Sequence, residues 1–166
     1  MPADRSRAAI AGSLALTVAG LGLACSDDGG SSGCGPITRE ALDSSYLVHV
    51  IGDAADVTYA SDPPTSGPHQ PSPPIEGIVR EPIPRPVQLG ILERGDILVQ
   101  HDPALVASER AEVESLAGPG VVVAPNPDLP AQVVATAWTY KRTCTSVALL
   151  PLQEFIDERG GKGPEG

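Results

Sequence analysis

Ile97-Leu98-Val99-Gln100-His101 leads through Asp102-Pro103 and a polar stretch to Gly118-Pro119, and then to Val121-Val122-Val123-Ala124. This stretch decides the fold class. The two outer runs are short, apolar and rich in β-branched residues, bounded by turn formers, and read as strands. Between them Asp102 is placed to cap a helix, with Pro103 in its first turn. Val106, Val113, Leu116 and Ala117 give that helix one apolar stripe, Glu109, Arg110, Glu112 and Glu114 a wet face. Gly118-Pro119 ends it.

Working outward, Val133 to Tyr140 predicts a further strand, and Pro151 to Arg159 a last short helix with Leu152, Phe155 and Ile156 on one side, ended by Gly160-Gly161. Upstream, Tyr46 to Ile51 and Val57 to Ala60 read as two strands joined by a turn over Gly52 to Asp56. Asp62 to Pro86 carries Pro63, Pro64, Pro68, Pro71, Pro73, Pro74, Pro82, Pro84 and Pro86, so many missing amide donors that a helix or central strand is disfavoured and an ordered, extended loop is expected. Ile91-Leu92 followed by Glu93-Arg94-Gly95-Asp96 predicts a strand and tight turn. There is no internal repeat. The pattern is α+β: a single domain with a mostly antiparallel sheet, two helices and a proline-rich ordered loop.

The N-terminus carries an address. Arg5 and Arg7 precede an uncharged run from Ala8 to Ala24, which matches the apolar core of a secretion signal over residues 1–24. Leu21-Gly22-Leu23-Ala24-Cys25 resembles the bacterial lipobox, so Cys25 is the expected lipidation site, and residues 25–45 begin as a polar, Gly/Ser-rich flexible tether. The globular domain is then residues 46–166, extracytoplasmic and held to the membrane by its lipid. The chain has net charge −10, and losing residues 1–24 leaves 9 basic against 20 acidic residues. That balance excludes nucleic-acid binding, because phosphates would be repelled. Once exported, Cys34 and Cys144 are expected to form one disulfide. Metal ligation by this pair is disfavoured, since neither sits in CxxC spacing. A redox couple lacks the local geometry of redox motifs.

Tyr59-Ala60-Ser61-Asp62-Pro63-Pro64-Thr65-Ser66-Gly67-Pro68-His69 is too particular to be composition. It resembles the signature of the largely bacterial family called domain of unknown function 3105, whose members are often secreted or lipid-anchored and show Tyr, Pro-Pro-Thr-Ser-Gly and then His. His49 stands where the family often has a His. Leu92-Glu93-Arg94-Gly95 is similar to its Leu-Glu-His-Gly, Ala135-Thr136-Ala137-Trp138 to a strand motif, and Phe155-Ile156 with Gly163-Pro164-Glu165 to its C-terminal helix and tail. The resemblance spans roughly residues 46–165. Arg94 and Gly90 replace two family histidines. The family carries no established activity, so the resemblance implies a fold but no reaction.

Three imidazoles, His49, His69 and His101, are the minimum for a zinc or copper site with an open position. Against that stands an ordinary alternative: His49 in an apolar run as a buried, hydrogen-bonded structural residue, and His101 solvated at a strand end. Ser66 precedes His69 by three residues, but a triad needs the Ser strained on a turn and the His oriented by a carboxylate, and Ser66-Gly67-Pro68 reads better as a local turn than as a nucleophile. Glu93 beside Arg94 reads as a turn ion pair, Trp138 as a core or sheet-face anchor. The expected function is a non-enzymatic binding or accessory module, with Tyr59, Pro63, Pro64, Thr65, Ser66, Gly67 and His69 as the candidate binding loop and an envelope protein as its partner. The alternative is a Zn- or Cu-binding envelope protein using His49, His69 and His101. An enzyme comes third.

Overall fold

The structure is a computed structural model and describes residues 33–51, 57–71 and 73–165. The signal segment, Cys25, the start of the tether and the Gly52 to Asp56 turn lie outside the described residues. Strands β1 (Thr38–Arg39), β2 (Gly77–Ile78), β3 (Ile97–His101), β4 (Val121–Pro125), β5 (Val133–Ala137) and β6 (Tyr140–Cys144) form one sheet in the order β1-β6-β5-β3-β4-β2. Helices α1 (Arg85–Glu93), α2 (Ala107–Glu114) and α3 (Leu149–Arg159) complete it. Among the described residues no helix is long and apolar enough to cross a membrane.

The class is α+β, but the sheet is mixed rather than mostly antiparallel. β3 pairs β4 in parallel, Leu98 opposite Val122 and Val99 opposite Val123, and β4 pairs β2 in parallel. The reason is the connection: α2 carries the chain back across one face, so β4 enters in the same direction as β3. The β3–β5, β5–β6 and β6–β1 pairs are antiparallel.

Strand pleating then separates two cores. Ile97, Val99, Val121, Val123, Val133 and Ala135 face α2 and α3, meeting Val113, Leu152 and Phe155. Leu98, Val122 and Ala124 point the other way, onto Leu89, Ile91 and Leu92 of α1, with Tyr59 and Trp138 packed alongside. A strand buried on both faces reads as a continuous apolar run, which is how β3 and β4 read.

Several local expectations change. There are three helices, not two. Ile91-Leu92 lies in α1, which starts at Arg85 with proline in its first turn; the missing amide there is one no helix could satisfy. α2 begins at Ala107, because Asp102 Oδ1 accepts from the Ala104 amide at 2.7 Å and closes a turn ahead of the helix. Val133 to Tyr140 is interrupted: Trp138-Thr139 is a two-residue turn with Thr139 at φ 60°, leading into β6. Residues 46–51 and 57–60 contain no paired strand beyond one isolated bridge at His49. Cys34 and Cys144 are joined by a disulfide.

The loop over residues 59–69 is pinned to the sheet through polar contacts. Glu40 Oε2 accepts from Ser61 Oγ and Thr65 Oγ1, each at 2.6 Å, while Lys141 Nζ lies 2.9 Å from Glu40 Oε1 and donates to Ser61 Oγ at 3.0 Å. Burial pushes the Glu40 pKa up, but the hydrogen bonds from Ser61, Thr65 and Lys141, with the Lys141 charge, outweigh it and hold the carboxyl below its ordinary value of 4.5. A carboxyl with a depressed native pKa stabilises the fold above its unfolded pKa, and that stability is lost as pH falls through the native value. Thermal melts across the acidic range are therefore expected to be flat above about pH 5 and to decline below about pH 4.5. Glu40→Gln should be less stable at neutral pH and show a shallower decline; an unchanged slope would remove Glu40 from the account.

Candidate metal centre

His69 is positioned by backbone pairing. The Val50 amide donates to His69 O at 2.8 Å and the His69 amide donates to Val48 O at 3.0 Å, so residues 49 and 69 face one another in an isolated parallel bridge. Directly opposed residues project to the same side. Their rings meet edge to face, with centroids 4.7 Å apart at 75°. The loop that delivers His69 is held at three further points. Tyr59 Oη donates to Pro68 O at 2.9 Å, the Asp43 amide to Ser66 Oγ at 2.9 Å, and the Thr139 amide to Thr65 O at 2.9 Å. Ser66 is thus a structural acceptor, as a turn residue should be. Burial pushes the Tyr59 hydroxyl pKa up, and the hydrogen bonds of Ser45 hold Asp43 low.

Glu93, the last residue of α1, completes the group. His69 Nε2 is 2.7 Å from Glu93 Oε2, with the His69 side chain fully buried and that of Glu93 13 % exposed. One nitrogen from each imidazole and one Glu93 oxygen all lie within 4.8 Å of one another. Glu93 is fixed from behind by the C-terminal tail. The Glu165 amide donates to Glu93 O at 3.1 Å, the Gly161 amide to Gly95 O at 2.9 Å, and Gly163 sits against Glu93 O and the Gly95 amide with no room for a Cβ. The Leu92-Glu93-Arg94-Gly95 and Gly163-Pro164-Glu165 segments are therefore one unit. Arg94 turns away from Glu93, donating to Gly90 O at 2.8 Å and lying 3.3 Å from Asp96.

The two ring nitrogens of His69 face oxygens: Nδ1 lies 3.4 Å from Gly67 O, a long contact, and Nε2 faces Glu93. Nε2 has no aligned hydrogen-bond partner although a carboxylate oxygen stands 2.7 Å away. A fully buried imidazole nitrogen this close to a carboxylate oxygen calls for a proton or a metal cation between them. Tetrahedral zinc with ligands at about 2.0–2.1 Å separates its donor atoms by about 3.3 Å, within the spread of this group.

His101 does not join. It ends β3 with the parity of Ile97 and Val99, so the pleat sends it to the α2 face, whereas α1 and Glu93 lie on the other. In the candidate binding loop, Pro63, Pro64, Thr65, Ser66, Gly67 and His69 are buried and Tyr59 is half-buried. Glu93 was missed from sequence because an acid beside Arg94 in a tight turn reads as an ion pair; its motif and that of the tail were the available signal.

No curated protein and no solved structure matches the chain. A family described as Protein of unknown function (DUF3105) matches residues 51–166, which includes His69 and Glu93 and begins two residues after His49. With the matched segment covering well over half its length, the chain belongs to the DUF3105 family.

Proposed function

We propose that this is an extracytoplasmic, lipid-anchored binding domain whose ligand is a transition-metal ion, Zn²⁺ or Cu²⁺, held by His49, His69 and Glu93 without catalysing a reaction. The observation that carries this reading is the buried His69 Nε2 standing 2.7 Å from a carboxylate oxygen without an aligned hydrogen bond, beside a second imidazole. Imidazole nitrogens suit both metals, and the Gly67 carbonyl behind Nδ1 is the outer-shell contact that fixes a metal-binding His. Three protein donors leave one position open. His49 is exposed, so that position faces solvent and favours loading and release over permanent storage.

An envelope protein that delivers or accepts the ion fits the same face. Leu47, Val48 and Ile51 are exposed apolar residues on the segment that carries His49. The lipid anchor expected at Cys25 would keep donor and acceptor on one membrane surface.

The test is calorimetric titration of the metal-free domain with Zn²⁺ and Cu²⁺. One ion should bind per chain, His69→Ala and Glu93→Gln should each weaken binding by more than about a hundredfold, and His101→Ala should change nothing. Lack of 1:1 binding in the parent, or loss on His101→Ala equal to that on His69→Ala, would overturn the assignment.

A further inference from the structure

On the sheet face opposite the metal centre, where β3 ends against α2, lies a cavity of about 380 Å³. This volume is in the range of small-molecule sites. We propose that it binds a small hydroxylated aromatic carboxylate. Its walls are Pro82, Pro103, Pro125 and Pro127. Pyrrolidine rings offer no amide donor and cannot rotate away, so they present stiff, weakly positive C–H surfaces, which complement the negative face of an aromatic ring.

The polar groups at the cavity define the rest of the ligand. Arg80 reaches Glu114 through Nη1, and Arg110 approaches the same Glu114 oxygen through Nε at 3.9 Å. Two guanidinium groups thus share one carboxylate. These three groups alone sum to +1, in a chain of net charge −10. Among the described residues, both Nη groups of Arg110 have no protein hydrogen bond, the fork that takes a carboxylate in two-point fashion. His101 is 3 % exposed and lines the same space. Its Nδ1 lies 3.0 Å from Asp102 O, and its Nε2 has no protein partner among the described residues. A ligand hydroxyl can hydrogen-bond that nitrogen in either tautomer.

The experiment titrates the domain, metal-free and zinc-loaded alike, with 4-hydroxybenzoate while following the imidazole proton resonances of its three histidines. His101 should shift saturably with a Kd of about 1 mM or tighter, His49 and His69 should not, and Arg110→Gln should weaken binding about tenfold. Arg110 is exposed on α2, so that variant is expected to fold. Neutral 4-hydroxybenzamide should bind about tenfold more weakly. No saturable His101 shift up to about 10 mM, equal binding by Arg110→Gln, or the same shift from inorganic phosphate alone would overturn the proposal. None of these outcomes bears on the metal titration, because the two sites share no residue.

Discussion

Gly163→Ala is expected to damage both the fold and the candidate metal centre, although Gly163 is neither a candidate ligand nor a core residue. A Cβ at this position would land on Glu93 O and on the Gly95 amide, both backbone atoms that have no rotamer with which to give way. Either the tail lifts, or the end of α1 moves. In the first case Glu93 O loses the Glu165 amide and Gly95 O loses the Gly161 amide. In the second the Glu93 carboxylate is withdrawn from His69. Overpacking of this kind costs about 1–3 kcal/mol. Zinc affinity should fall by about tenfold or more, as for lost outer-shell support. Glu165→Ala is the informative control: the bond to Glu93 uses the backbone amide, so the side chain can go with both quantities unchanged. A Gly163→Ala protein with parental melting point and parental zinc affinity would show that the tail does not position Glu93.

The largest loss of stability is expected from Cys34→Ser with Cys144→Ser. The bond closes a loop across a sequence separation of 110 residues. In the chain-entropy treatment, freeing a loop of that size costs about 4–5 kcal/mol. Denaturant midpoints of the parent, reduced parent and double variant measure it. The reduced parent and the variant should coincide and fall well below the oxidised protein. Loss of less than about 1 kcal/mol would mean that the denatured chain keeps these ends together by other means.

How much of this was readable depends on which signal each element uses. β3 and β4 were legible because Ile97 to Val99 and Val121 to Val123 are β-branched or apolar without interruption. α3 was legible because Leu152, Phe155 and Ile156 repeat at helical spacing ahead of two glycines. α1 was not, because Pro84 and Pro86 extend the proline-rich segment to its start, and Ile91-Leu92 ahead of Glu93-Arg94-Gly95-Asp96 imitates a strand and turn. The β5–β6 hairpin was hidden by its turn. Trp138-Thr139 contains no Gly, Asn, Asp or Pro, and Thr139 adopts φ 60° at a cost that sequence statistics treat as rare. Parallel pairing of β3 and β4 was implicit in a strand–helix–strand order that was read only as alternation.

The candidate centre divides in the same way. His69 announced itself through a motif with no compositional reason to exist. His49 was placed by register, which a one-residue slip would reverse. His101 was grouped with them by residue type alone, and strand parity separates it. Glu93 needed the third dimension, since α1 and the C-terminal tail meet there from well-separated parts of the chain.

The crosslink between Cys34 and Cys144 has a mechanical consequence. Tension applied between the two ends of the polypeptide travels from Cys34 directly into Cys144 and on through α3, skipping every residue between. The candidate ligands His49, His69 and Glu93 all belong to the bypassed stretch, so pulling would reach them only through the tail that braces Glu93.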